Sequence, residues 1–315
     1  MLPFAVRTEP PHGALYRTAG SGIAMPSAGP GVPMRDAAYG VSNDAEVSSA
    51  VRELASRKAD LVKIWVDDRN GTVEKLRPDL YRAAIDEAHK NGLRVIAHMA
   101  KLDDAKDLLR AGIDGFAHQV RDKDVDDELL QMLRQRPSVF FMETLWSERR
   151  AIAGGRPAWL DEPLISGTLT AEEIKLLADS FSSGAPQTAE SRESAQRLLR
   201  NTAALSRAGV TLALGTDSGG VSGGQYFGLA SHIEMELLTK AGLSPAQVVV
   251  VATRNSAKVL GIDSLGTVAA GKSADFLVLD ASPLDNIANT RRISRVYLRG
   301  AEIDRGVLRA RWTTR

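Results

Sequence analysis

The stretch Pro78–His98 reads P-D-L-Y-R-A-A-I-D-E-A-H-K-N-G-L-R-V-I-A-H, and it holds one complete helix-to-strand unit. Proline opens the helix in its first turn, where a missing N–H costs nothing. Leu80, Ala84 and Ala88 recur at helical spacing and make one apolar stripe. Asn91-Gly92 closes the helix. Leu93–His98 then reads as a short, mostly apolar strand that ends on a histidine.

The same unit recurs on both sides of this stretch. Upstream, Asn43 or Asp44 caps a helix with Val47, Val51, Leu54 and Ala55 on one face, and Leu61–Val66 (L-V-K-I-W-V) is a strand. Downstream, a helix over Asp103–Ala111 precedes a strand over Ile113–His118. A helix over Asp126–Arg136 precedes a strand over Ser138–Met142. Thr170–Ser182 opens with a capping box, Thr170 with Glu173. A helical pattern over Ala189–Ala208 leads into Val210–Asp217, a strand running onto an aspartate. Ser244-Pro245-Ala246-Gln247 starts a helix that runs to Leu260.

Strands alternating with helices over short loops imply parallel β–α units. The fold class is α/β, with a (β/α)8 TIM-like barrel as the leading architecture and a doubly wound open sheet as the alternative. Either fold binds ligand at the C-terminal ends of its strands. Five strands are clear, and Ala14–Met25 supplies a sixth. The expected barrel is therefore incomplete, with strands three to eight. Residues 144–187 form a connection long enough to be a lid. After Gly261 come short strands with turn residues and no helical period. The expected division is a barrel over residues 1–261 and part of a β-sandwich over residues 262–315.

Composition narrows the function. The chain of 315 residues carries 40 basic and 39 acidic side chains, a net charge of +1. That balance gives no electrostatic footprint for nucleic acid or an anionic membrane. With no cysteine, disulfides and thiolate metal sites are excluded. No apolar run is long enough to span a bilayer, and the first residues lack a signal-peptide pattern, so the default expectation is a cytoplasmic protein.

Three strands end on side chains able to bind a metal: His98, His118 and Asp217. Either histidine alone reads equally well as a core imidazole bonded to a carbonyl, and Asp217 alone as a turn residue. Two of only five histidines at matching positions in successive units weaken that bland reading. Small residues around Asp217 leave room for it to project. Lys63 lies inside an apolar strand, where an unpaired ammonium costs several kcal/mol. Two explanations are open. It pairs with Asp67 or Asp68, or it is carboxylated on N6 to an anionic carbamate that can bridge two divalent cations.

Lys63 in A-D-L-V-K-I-W-V-D-D, His98 in V-I-A-H, His118 in G-F-A-H and Asp217 in L-G-T-D-S resemble strands four, five, six and eight of the amidohydrolase superfamily. The imidazolonepropionase-like, Xaa-Pro dipeptidase-like branch is the nearest. Further matching stretches are Ala84–Leu93, His232–Pro245, Ala252–Gly261 and L-G-T-V-A-A-G-K-S-A-D over Leu265–Asp275, so the resemblance runs from about Val47 to the C-terminus. It implies metal ligands at Lys63, His98, His118 and Asp217, one or two divalent ions such as zinc, and a carboxylated Lys63. It also implies hydrolysis of a non-polymeric amide or dipeptide-like bond by a metal-activated hydroxide, with Asp217 as the proton shuttle.

One family feature is absent. There is no H-x-H motif, and His12, the only histidine before His89, sits in P-P-H-G. The expectation is a chain without the N-terminal part that carries this motif, one that binds metal weakly, hydrolyses little and associates with other copies through uncovered strand edges. The competing readings are an inactive homologue acting as a binding or partner-dependent barrel, and a different barrel enzyme with a Schiff-base or phosphate-binding Lys63. His232 is expected to support or pack rather than ligate, and His89, on a helix, to be a surface or packing residue. Tyr226, Arg149 and Arg150 are candidate substrate contacts without a derived role.

Overall fold

The computed structural model describes residues 15–31, 37–148, 152, 155–182, 188–218 and 226–313. His12, Arg149, Arg150 and the glycines at 219, 220, 223 and 224 lie outside them. The first elements are β1 (Gly22–Ala24), β2 (Ala38–Gly40), α1 (Asp44–Ser56), β3 (Val62–Val66), α2 (Pro78–Lys90) and β4 (Val95–Met99). Next come α3 (Leu102–Ala111), β5 (Gly115–Ala117), α4 (Asp127–Gln135), β6 (Phe140–Glu143), α5 (Ala171–Ser182), α6 (Ala189–Arg207) and β7 (Thr211–Leu214). The remainder is α7 (Leu229–Lys240), α8 (Pro245–Val250), β8 (Phe276–Leu279), β9 (Ile293–Leu298), β10 (Ala301–Glu302) and α9 (Arg305–Thr313). No helix among the described residues is long and apolar enough to cross a membrane.

Local signals set these bounds. Asn43 Oδ1 accepts the Glu46 N–H at the start of α1, and Asp126 accepts the Leu129 N–H at the start of α4. Gly112 ends α3 at φ 99°, a left-handed cap that other residues adopt only under strain. Thr170 and Glu173 form the expected capping box before α5, as do Ser244 and Gln247 at α8.

Seven strands form one sheet in the order β2-β1-β3-β4-β5-β6-β7, one more than the six read from the sequence. The pairings from β2 through β6 are all parallel, with Trp65 opposite His98 and His98 opposite Ala117. Alternation then sorts the side chains. Val62, Ile64, Val66, Val95, Ala97, Met99, Phe116 and Phe141 share one face and are fully buried. Burial of each larger side chain contributes about 1.5–3 kcal/mol. The opposite face carries Lys63, Trp65, Ile96, His98 and Phe140.

That second face is packed by pairing large rings with glycine. A Cβ on Gly22 would stand 2.0 Å from the Trp65 ring, and one on Gly115 would stand 2.6 Å from the Phe140 ring. Gly115→Ala is therefore expected to destabilise the protein by about 1–3 kcal/mol through overpacking. A companion Phe140→Leu should recover most of that loss in urea unfolding; if it recovers none, the ring is not the obstacle.

The chain packs as two compact units, Met1–Glu143 with Ala204–Leu212, and Thr144–Ala203 with Ala213–Arg315. In the second unit, a three-stranded antiparallel sheet has the order β10-β9-β8. Three sequence expectations are corrected here. The helix from Ser244 is not uniform: its hydrogen bonding loosens into a π turn over Val251–Asn255, and Ser256 Oγ bonds back to the Val251 carbonyl. The tail, read as lacking any helix, ends in α9. The strand read as Val210–Asp217 stops at Leu214, whose N–H is taken by Ser256 Oγ at 3.1 Å, so Asp217 stands in the following loop.

Candidate active site

The candidate side chains of the first unit gather at the C-terminal ends of β3, β4 and β5. Lys63 and His98 reach the same face because alternation and register require it: Lys63 is opposite Ile96, and His98 lies two residues further on. His118 follows a different rule. It comes one residue after Ala117, which pairs with His98, so regular alternation would turn it to the opposite face. Its backbone is left-handed, at φ 81°, and this kink returns the ring. The His98 and His118 centroids lie 4.8 Å apart with the planes at 76°. The His118 N–H still bonds the Met142 carbonyl at 3.1 Å, so the kink is anchored to β6. A left-handed histidine costs on the order of 1–3 kcal/mol, and such strain collects at functional sites.

Burial fixes the charge state of the pair. Desolvation lowers the His98 pKa, and the Asp67 hydrogen bond opposes that shift. Desolvation holds His118 well below the ordinary histidine range, helped by the charge of Lys63. Lys63 acts on both imidazoles, so the structure brings these three predicted residues together. Lys63 is half-buried rather than buried, and its ammonium lies 5.7 Å from the centre of the Trp65 ring. Of its suggested acidic partners, Asp67 Oδ2 bonds His98 Nε2 at 3.0 Å and Asp68 bonds Lys101 Nζ at 2.5 Å.

Asp217 belongs to the second unit. It is exposed and left-handed, at φ 52°, three residues past the end of β7. His232, on α7, shares a 3.0 Å hydrogen bond with Thr290 and lines a largely apolar cavity of about 710 Å³. Burial lowers its pKa to about 4. His89 bonds Asp114 at 2.9 Å on the helix surface, as expected. Tyr226 donates to the Glu173 carbonyl at 3.4 Å.

The sequence reading missed two polar groups at this end of the sheet. Gln119 donates to Glu143 at 2.9 Å, and both are buried. Glu143 closes an apolar run, F-F-M-E, and so carries the same signal as His98. It was passed over because the strand was ended at Met142. Asp67 was read only as a partner for Lys63.

A histidine near 6.5 when unfolded and lower when folded leaves the unfolded chain holding more protons, so stability falls as pH drops through that window. For His232 the window runs from about 6.5 down to about 4. Between pH 7.5 and pH 5, its contribution should fall by about 2 kcal/mol. A His232→Asn variant should lose that part of the pH dependence in urea midpoints; an unchanged slope removes His232 as its source. Asp67 acts in a separate range. Its pKa is held down to about 2, first by the His98 hydrogen bond, so its stabilisation is present above about 4 and is lost towards pH 2.

Comparison with known proteins follows this geometry. The profile of the Amidohydrolase family matches residues 25–303. Imidazolonepropionase from Deinococcus radiodurans is 34% identical over 101 residues, which cover 30% of this chain and 24% of that protein. A putative prolidase from Bifidobacterium longum superposes with a TM-score of 0.64 at 26% identity, covering 93% of this chain and 68% of that one. A Xaa-Pro dipeptidase with bound methionine gives 0.64 at 21% identity, covering 92% and 67%. The matched segments span about a quarter of the length of the curated relatives. The expected parallel α/β barrel type of fold is borne out.

Proposed function

The chain belongs to the amidohydrolase family, and from that premise we propose that the protein hydrolyses a C–N bond in a small amide or dipeptide-like substrate with the help of a divalent metal such as zinc. One observation carries the reading: two imidazoles, His118 buried and His98 partly buried, both held neutral, meet edge to face at 4.8 Å at the strand ends. Neutral imidazoles at that position have lone pairs to offer, which is the chemistry a borderline cation takes. A bound cation would supply Lewis-acid polarisation of the substrate carbonyl and an activated water.

The chain's own residues have distinct parts in this reading. His98 and His118 would hold the ion. Lys63 as an ammonium would repel a cation, so it joins the site as its N6-carboxylated form, which brings two oxygens. Asp217 would serve as a further ligand and as the group that takes a proton from water and passes it to the leaving amine. Its exposed loop position leaves its carboxylate accessible for that transfer.

A second reading, a barrel that binds ligand without hydrolysing it, has one observation in its favour. Among the described residues, no group of three or more His, Cys, Asp or Glu is placed to hold a metal ion. Metal analysis after zinc dialysis separates the two. The hydrolase reading expects bound zinc and a roughly tenfold weaker uptake in Lys63→Ala, within the range for altered metal surroundings. Unchanged metal content and amide hydrolysis in that variant would remove Lys63 from the site.

A further inference from the structure

Asp67 contacts His98 but has no role of its own in this chemistry. It follows β3 directly, and its two carboxylate oxygens have different jobs. Oδ1 accepts the Arg69 N–H at 2.9 Å, closing a turn in which Arg69 and Asn70 are both left-handed. Oδ2 faces His98 Nε2 at 3.0 Å. Lys101 pairs with Asp68 instead, so the two acids take different partners.

We propose that Asp67 is the positioning residue of His98, with Oδ2 holding the ring proton on Nε2 and leaving the lone pair on Nδ1. The reason is donor arithmetic. An ionised carboxylate only accepts, so a neutral imidazole hydrogen-bonded to it through Nε2 must carry its proton there. The turn keeps the carboxylate from rotating away, because Oδ1 is committed to a backbone N–H. The same bond fixes the ring plane against His118. The consequence for metal rests on the hydrolase reading: His98 would ligate through Nδ1, with Asp67 behind it as the carboxylate that orients the ligand.

Asp67→Asn tests this without changing shape. The Arg69 N–H demands an acceptor, so the asparagine carbonyl must stay at the Oδ1 position and the amide NH2 must face His98. A donor there requires a lone pair on Nε2, which drives the ring proton to Nδ1. Long-range 1H–15N spectra of the metal-free full chain at pH 8 read the tautomer, with His98→Gln assigning the signal. The expected result is Nε2–H in the unsubstituted protein and Nδ1–H in D67N, with zinc affinity reduced about 10–100-fold. Asp67→Ala, offering neither acceptor nor donor, should weaken the Nε2–H preference to that of an unpartnered imidazole, with a measurable Nδ1–H fraction, and provides a second variant should D67N fold poorly.

Nδ1–H in the unsubstituted protein, or Nε2–H retained in both variants, overturns the proposal. A tautomer that switches while zinc affinity stays constant overturns the positioning role. A switch in a protein that takes up no zinc in any form upholds the Asp67–His98 assignment and sinks the metal-hydrolase reading instead.

Discussion

His118→Asn is expected to weaken zinc binding by about a hundredfold or more while changing stability by only about 1 kcal/mol. The metal side follows from the size of ligand effects: altering groups behind a ligand already costs 10–100-fold, so losing the ligand lies at or beyond the upper end. The stability side follows from the backbone. His118 sits at φ 81°, a conformation that asparagine tolerates better than most residues. The substitution relieves strain while giving up part of a buried ring, and the two effects offset. A core histidine retained only for packing predicts the reverse pattern. Zinc titration beside urea unfolding distinguishes them; a loss of several kcal/mol with zinc affinity intact would return His118 to the core.

Glu234→Ala is expected to destabilise the second unit by about 3–5 kcal/mol. Glu234 lies on α7 with 0% exposure, and its two oxygens accept the backbone N–H groups of Leu145 at 2.8 Å and Trp146 at 2.6 Å. These are charge-assisted bonds that hold the start of the segment after β6, where the fully buried Trp146 packs at 6.3 Å from Trp159. Alanine leaves two buried donors unsatisfied and opens a cavity. Glu234→Gln should cost about half as much, since its carbonyl can take one N–H while its amide opposes the other. Urea midpoints followed by tryptophan fluorescence measure both; a cost below about 1 kcal/mol for alanine would show that water replaces the carboxylate.

Legibility in the sequence depended on the range of the interaction involved. The cap at Asn43, the box at Thr170 and the helix start at Ser244 were readable because each bond closes within three residues. The strand order beyond β3 was readable because parallel β–α units follow one another along the chain. Lys63 and His98 came to one face as the period of two requires. His118 could not be placed that way: residue type and spacing named it, but register put it one step out, and only the kink at φ 81° returned it. Glu234 carried no local mark of its role, because its partners lie 89 and 88 residues away.

By itself, the sequence determined the succession of helices and strands, their caps, the apolar face that helices cover, and the residue types gathered at the strand ends. These follow from steric preference and hydrophobic period over a few residues, which act before any distant contact exists. Tertiary structure decided which acid met which base, giving Asp67 to His98 and Asp68 to Lys101. It also ended β7 at Leu214, leaving Asp217 on a loop. Side chains from separate strands choose partners by distance and direction, and those are set only when the sheet fixes its register.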